Sequence, residues 1–141
     1  MQRRMGRQKF TAAAALSVAR VVYNNSGSTL AECDADSTQA ATSLLRPVGV
    51  TAESVASGEE VSYVVDGEVS FTAGGAIACG DLLIAADGAA GKVIALNAST
   101  INSEFADGDE VYVVGRAFED AADGTVFPGK FAPYLIQTSE V

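Results

Sequence analysis

The 141-residue chain contains no histidine and no tryptophan, only two cysteines and three prolines, and its aromatics are four tyrosines and six phenylalanines. The missing histidine excludes Ser-His-Asp and Cys-His catalysis and the zinc sites that use imidazole. It also removes the side chain that most readily carries protons near neutral pH. An enzyme would have to work with carboxylates, lysine or cysteine, and the reading is that the chain is not one. Cys33 and Cys79 are too few for a disulfide framework, and their spacing does not suit a metal knuckle. They read as reduced, small residues of a protein made in a cytoplasm, with an occasional disulfide as the alternative. No apolar run is long enough to cross a bilayer. The basic Met1–Lys9 followed by the apolar Phe10–Ala19 has the outline of a signal peptide, and Arg3-Arg4 that of a twin-arginine opening. The apolar run is short, is mostly alanine, and is interrupted by Arg20 before Val21-Val22-Tyr23.

Positive charge is also scarce and unevenly placed. Nine Lys and Arg stand against 18 Asp and Glu, for a net charge of −9. Arg3, Arg4, Arg7 and Lys9 crowd into the first nine positions. The rest of the chain is therefore strongly acidic and repels nucleic acid and anionic membranes. A terminal charge cluster is by default a solvated tail, but a basic leader on an acidic body is also a device that can reach an acidic surface or RNA. Residues 1–11 are read as an N-terminal arm and residues 12–141 as one β-rich domain, since this length supports a single core.

What the chain does have is small and β-branched residues, with 14 glycines and 48% hydrophobic residues. Such a composition suits strands and tight turns. Asp66-Gly67, Asp87-Gly88, Asp107-Gly108 and Asp123-Gly124 supply the positive φ angles that two-residue hairpins need. Asn24–Gly27, Ser57-Gly58 and Gly74-Gly75 add further breaks. Between them lie runs with strand character: Val18–Tyr23, Leu44–Val50, Glu60–Val65, Glu68–Phe71, Asp81–Ala85, Lys92–Leu96, Glu110–Phe118 and Phe131–Thr138. Many short strands at this spacing predict an all-β fold, a small β-barrel or β-sandwich of short antiparallel strands with an extended N-terminal arm. Two stretches fit less well. Thr11–Ala19 has the helix propensity of alanine but little beyond Thr11 to cap it, and Asp34–Leu45 reads as a loop or one short helix.

The chain echoes itself. Val48-Gly49-Val50 leads through Glu53 and Ala56 to Gly58, and Val114-Gly115-Arg116 leads through Glu119 and Ala122 to Gly124. A second echo joins Ala56–Val61 to Ala106–Val111. Either the chain holds a pseudo-repeat, or strands are reusing the same turn chemistry.

The order of these pieces resembles a known family. Val48-Gly49-Val50-Thr51 is followed by Gly58-Glu59-Glu60-Val61, Val65-Asp66-Gly67-Glu68-Val69 and Ile77-Ala78-Cys79-Gly80-Asp81-Leu82-Leu83. Ala86-Asp87-Gly88, Gly91-Lys92-Val93 and Val114-Gly115-Arg116-Ala117 complete it. This series, over roughly residues 12 to 138, resembles the capsid decoration, or cement, proteins of tailed phages. Each piece is weak alone, and the signal lies in their order. The resemblance implies a β-rich barrel or sandwich. It further implies a homotrimer on the outer surface of an icosahedral head, binding the major capsid protein and stabilising contacts between capsomers. It brings no catalytic residue and no cofactor. The basic leader departs from the family pattern. A head-fibre knob or another receptor- or sugar-binding β-module is the alternative, weakened by the scarcity of the aromatic platforms that sugars stack on.

The basic leader supplies the capsid-contact candidates: Arg3, Arg4, Arg7 and Lys9 for pairing with carboxylates, and Phe10 as an anchor for a pocket. Phe127–Tyr134 holds two prolines and three aromatics and reads as an edge or irregular segment that closes the core, with an interface as the second reading. The Asp-Gly pairs and Asp107-Gly108-Asp109-Glu110 lack the ordered oxygen ligands of a calcium loop. Gly74–Gly80 lacks the Lys-Ser/Thr of a phosphate loop and reads as a bend. Glu59-Glu60 and Glu119-Asp120 are neighbours in sequence and read as acidic turns.

Overall fold

A computed structural model of the protein describes residues 3–5, 9–33, 46–86, 91–97 and 110–137, with backbone alone for 3–5, 25 and 137. The expected arm residue Arg7, the stretch Asp34–Leu45 and the turns Asp87-Gly88 and Asp107-Gly108 lie outside the described residues, as does Asp109. The described chain is all-β. Its strands are β1 (Arg3–Met5), β2 (Thr11–Ala12), β3 (Val21–Ser26), β4 (Thr29–Glu32), β5 (Pro47–Thr51), β6 (Tyr63–Thr72), β7 (Leu82–Ala85), β8 (Val93–Ala95), β9 (Glu110–Ala117) and β10 (Val126–Gln137).

They form one sheet in the order β2-β4-β3-β5-β6-β10-β9-β7-β8, with β1 paired to β6 off this path. All named pairs are antiparallel except β2–β4, so the sheet is mixed. It is a single mixed sheet that is not closed into a barrel, which sets the barrel alternative aside.

Three local expectations are corrected. Asp66-Gly67 does not end a strand. Gly67, at φ +97°, lies inside the continuous β6. Thr11–Ala19 forms no helix: it gives the short β2 and then a bridge between Leu16 and Val55. Pro128 sits inside a paired strand, opposite Ser70 of β6. Its carbonyl accepts the Phe118 N–H at 3.0 Å, and β9 has already ended at Ala117. The N–H that proline lacks is therefore one the β9 ladder does not require.

The echo in the sequence is a structural repeat. Phe10-Thr11-Ala12 recurs as Phe71-Thr72-Ala73, and the backbone bonds that follow recur with it. Leu16 and Val55 exchange two N–H···O bonds of 2.9 Å, and Ile77 and Ala121 do the same at 2.9 and 2.8 Å. The Gly58 N–H donates to the Ala12 carbonyl, and in the other half the Gly124 N–H donates to the Ala73 carbonyl. The β3–β5 register Val21↔Val50, Val22↔Gly49, Tyr23↔Pro47 is matched by β7–β9 as Leu82↔Arg116, Leu83↔Gly115, Ile84↔Val113, with the register shift at the same step. The parallel pair Ala12↔Leu30 is matched by the bridge Ala73↔Val93. Even the left-handed residue repeats, as Ala19 at φ +61° and Gly80 at φ +88°. The second echo, between Ala56–Val61 and Ala106–Val111, is not part of this scheme: Glu110 and Val111 open β9, whose counterpart is β5.

The two halves share β6. Val64 has Val50 on one side and Met5 on the other, and Gly67 has Arg3 on one side and Phe131 on the other. β5 and β10 therefore follow one another along one edge of β6, with β1 along the other. The first part of β6 is the last strand of the first half, and its second part is the first strand of the second half. Outward Asp66, Glu68 and Ser70 alternate with buried Val69 and Phe71, the period a half-buried strand requires.

Burial follows the repeat. Phe10, Ala12, Leu16, Val22, Leu30, Val61 and Tyr63 fill the first half. Phe71, Ala73, Ile77, Leu83, Val93 and Phe127 fill the second, and the same cluster takes in Val21, Val50 and Val64 from the outer face of the first. The second half thus covers the outer face of the first, and that shared apolar contact joins them.

Candidate functional site

The arm is partly built into the fold. β1 lies antiparallel on β6, with Arg3 opposite Gly67, Arg4 opposite Asp66 and Met5 opposite Val64. Arg4 thus has a carboxylate-bearing residue directly across the ladder. Lys9 is exposed. Phe10, expected to anchor in a partner's pocket, is only 4% exposed. Its ring lies 5.7 Å from that of Tyr63 at an interplanar angle of 59°. Its backbone carbonyl accepts the Val61 N–H at 2.9 Å. The physical reason is the repeat: Phe10 holds the position that Phe71 holds in the second half, and both belong to cores. Burial raises the Tyr63 phenol above its usual range near 10, because desolvation disfavours the phenolate.

The acidic candidates are occupied in turns. Glu59 Oε1 accepts the Ala56 N–H at 2.7 Å, and Asp120 Oδ1 accepts the Cys79 N–H at 2.7 Å. Asp81 Oδ2 accepts the Ala78 N–H at 2.9 Å. Asp123-Gly124 is a turn in which the Thr125 hydroxyl donates to the Ala122 carbonyl. Among the described residues no cluster of three potential metal ligands occurs. Cys33 is buried and Cys79 exposed, and no disulfide joins them.

The segment Phe127–Tyr134 divides between the two readings made of it. Phe127 and Phe131 are core, with Phe127 5.8 Å from Phe71. Val126, Tyr134, Leu135 and Phe118 are among the exposed large apolar residues. A groove of about 170 Å³ opens between β7, β9 and β10, lined by Leu82, Arg116, Phe118, Lys130, Ala132 and Tyr134 with Gly115. Sequence reading did not single out Arg116 or Phe118 as a site residue. Arg116 stands in the echo of Val50, and a charge in place of a core valine was the available signal.

No family model matches the chain, and no curated protein matches it. Among solved structures, the fold is similar to the crystal structure of the N base of head fiber gp8.5 of bacteriophage phi29. The TM-score is 0.62 over 91% of this chain and 94% of that one, at 17% identity. The likeness is one of fold.

Proposed function

We propose that the protein is a structural component of a phage head, standing on the outer surface of the shell and acting by binding. The observation that carries this reading is the fold likeness to a head-fibre base over nearly the full length of both chains. The order of glycine-bearing motifs points independently to decoration proteins. Two forms of the role fit. A cement protein spans neighbouring capsomers and adds contacts that a leaving subunit must break, and a trimer strengthens this through linked sites. A fibre base fixes an appendage to the shell without reinforcing it. The structural neighbour favours the second form and the motif order favours the first. Arg3, Arg4, Arg7 and Lys9 remain the proposed shell contacts, as cations on an otherwise acidic molecule, and the major capsid protein is the proposed partner.

Purified chain mixed with undecorated heads should co-sediment with them in saturable amounts. In the cement form it also raises the temperature at which heads lose their DNA, and in the fibre-base form it binds without that shift. Failure to bind heads in either sense would remove the reading. Size-exclusion chromatography with light scattering tests the trimer, which predicts about three times the 14.4 kDa chain mass in solution or after release from heads.

A further inference from the structure

The groove on the second half is the counterpart of the face by which the first half docks the second. In the first half the row Val21–Val50–Val64 runs across β3, β5 and β6, and all three side chains are buried beneath the second half. The matching row in the second half is Leu82–Arg116–Lys130, across β7, β9 and β10. Nothing covers it among the described residues: Arg116 and Lys130 are exposed, and Phe118 and Tyr134 flank them at 39% and 44% exposure.

Arg116 and Lys130 are direct cross-strand partners. Like charges in that relation repel. Glu68 lies opposite Lys130 on β6, so the row holds two cations to one carboxylate, and neither cationic side chain has a hydrogen-bond or ion-pair partner among the described residues. This local excess of positive charge occurs on a molecule of net charge −9. A strand face that only had to stay soluble could carry charge of either sign. Two juxtaposed cations beside exposed aromatic and aliphatic carbons instead match a partner of defined chemistry.

We propose that this groove binds an extended acidic segment of another protein, seating a carboxylate between Arg116 and Lys130 and apolar side chains against Leu82, Phe118 and Tyr134. The added carboxylate would balance the row and be held by charge-assisted hydrogen bonds.

The test uses the isolated full chain, so it is independent of whether the protein binds heads. Isotope-labelled protein is titrated with a capped eight-residue peptide alternating glutamate and leucine, and separately with the same peptide carrying lysine for glutamate. The expected result is saturable amide-shift change centred on Leu82, Arg116, Lys130 and Tyr134 with the glutamate peptide and none with the lysine peptide. Binding should weaken at least tenfold in the Arg116→Gln/Lys130→Gln double variant. Arg116→Gln alone should leave the thermal midpoint unchanged or raise it by about 2 °C, through relief of cross-strand repulsion. No saturable change, an equal response to both peptides, undiminished binding by the double variant, or a lowered midpoint for Arg116→Gln would each overturn the proposal.

Discussion

At the scale of single residues, the echoed glycines have a shared steric cause. A Cβ on Gly49 would lie 2.6 Å from the Val64 carbonyl oxygen, and one on Gly115 would collide with the Lys130 carbonyl oxygen. In both cases the obstacle is backbone of the facing strand, which cannot swing aside as a side chain can. Gly115→Ala should therefore destabilise the fold by about 2 kcal/mol or more, measured by chemical denaturation, with Gly49→Ala following in the same direction. A Gly115→Ala variant as stable as the parent would show that the strands part easily. Phe10 belongs to this scale too. Truncation to alanine should cost about 3 kcal/mol, as for other buried aromatics. It follows that deleting residues 1–10 tests folding as much as binding. Replacing Arg3, Arg4 and Arg7 with serine is the cleaner test of the arm, and should reduce head binding with stability preserved. Tyr63 adds a pH dependence. Its folded pKa is raised, so above the unfolded value near 10 the unfolded state releases the proton first and stability falls as pH rises. Tyr63→Phe should flatten that alkaline limb, and an unchanged limb would assign it to other groups.

Strands are the scale at which sequence reading was mostly sound and locally misled. Runs of strand-forming residues between glycine-bearing turns located the strands corresponding to β5, β7, β8 and β9 within a few residues. Glu60–Val65 and Glu68–Phe71 were read as two strands split by an Asp66-Gly67 hairpin, where Tyr63–Thr72 is one continuous strand. The backbone conformation was foreseen, since Gly67 does take a positive φ, but its use was not. The left-handed residue lets β6 pass from one half to the other instead of reversing it. Gly67→Ala should cost about 1–2 kcal/mol, because a Cβ is poorly tolerated in that conformation, and thermal unfolding would register it. Pro128 misled in a similar way: it lies within β10, paired with β6 on one side and just past the end of β9 on the other, where its missing N–H is not needed. Alanine-rich Thr11–Ala19 carried helix propensity that tertiary pairing with Val55 and Glu59 overrode. What sequence alone could not decide was whether the echo was turn chemistry or repetition, since only the matching registers distinguish them.

For the molecule as a whole, the shared β6 and the cluster that takes in Val21, Val50 and Val64 with Phe71 and Phe127 couple the two halves. Heat should unfold them together, with calorimetric and van't Hoff enthalpies equal; two resolved transitions would show the halves to be independent. The candidate contact surface was legible in part. The excess of positive charge at the amino terminus could be read directly, but Phe10's burial could not, because it depends on a repeat carried by only a few identical residues. The groove around Arg116 and Lys130 was invisible for the same reason: only the matching registers show that this row corresponds to the buried Val21–Val50–Val64 row. The proposal that this fold works through its outer surface on a phage head can be checked by electron cryomicroscopy of heads purified from cells that make the chain. Density matching this mixed sheet is expected on the outside of the shell, in contact with capsid subunits. Heads that lack it while the chain is found free or attached elsewhere would contradict the claim.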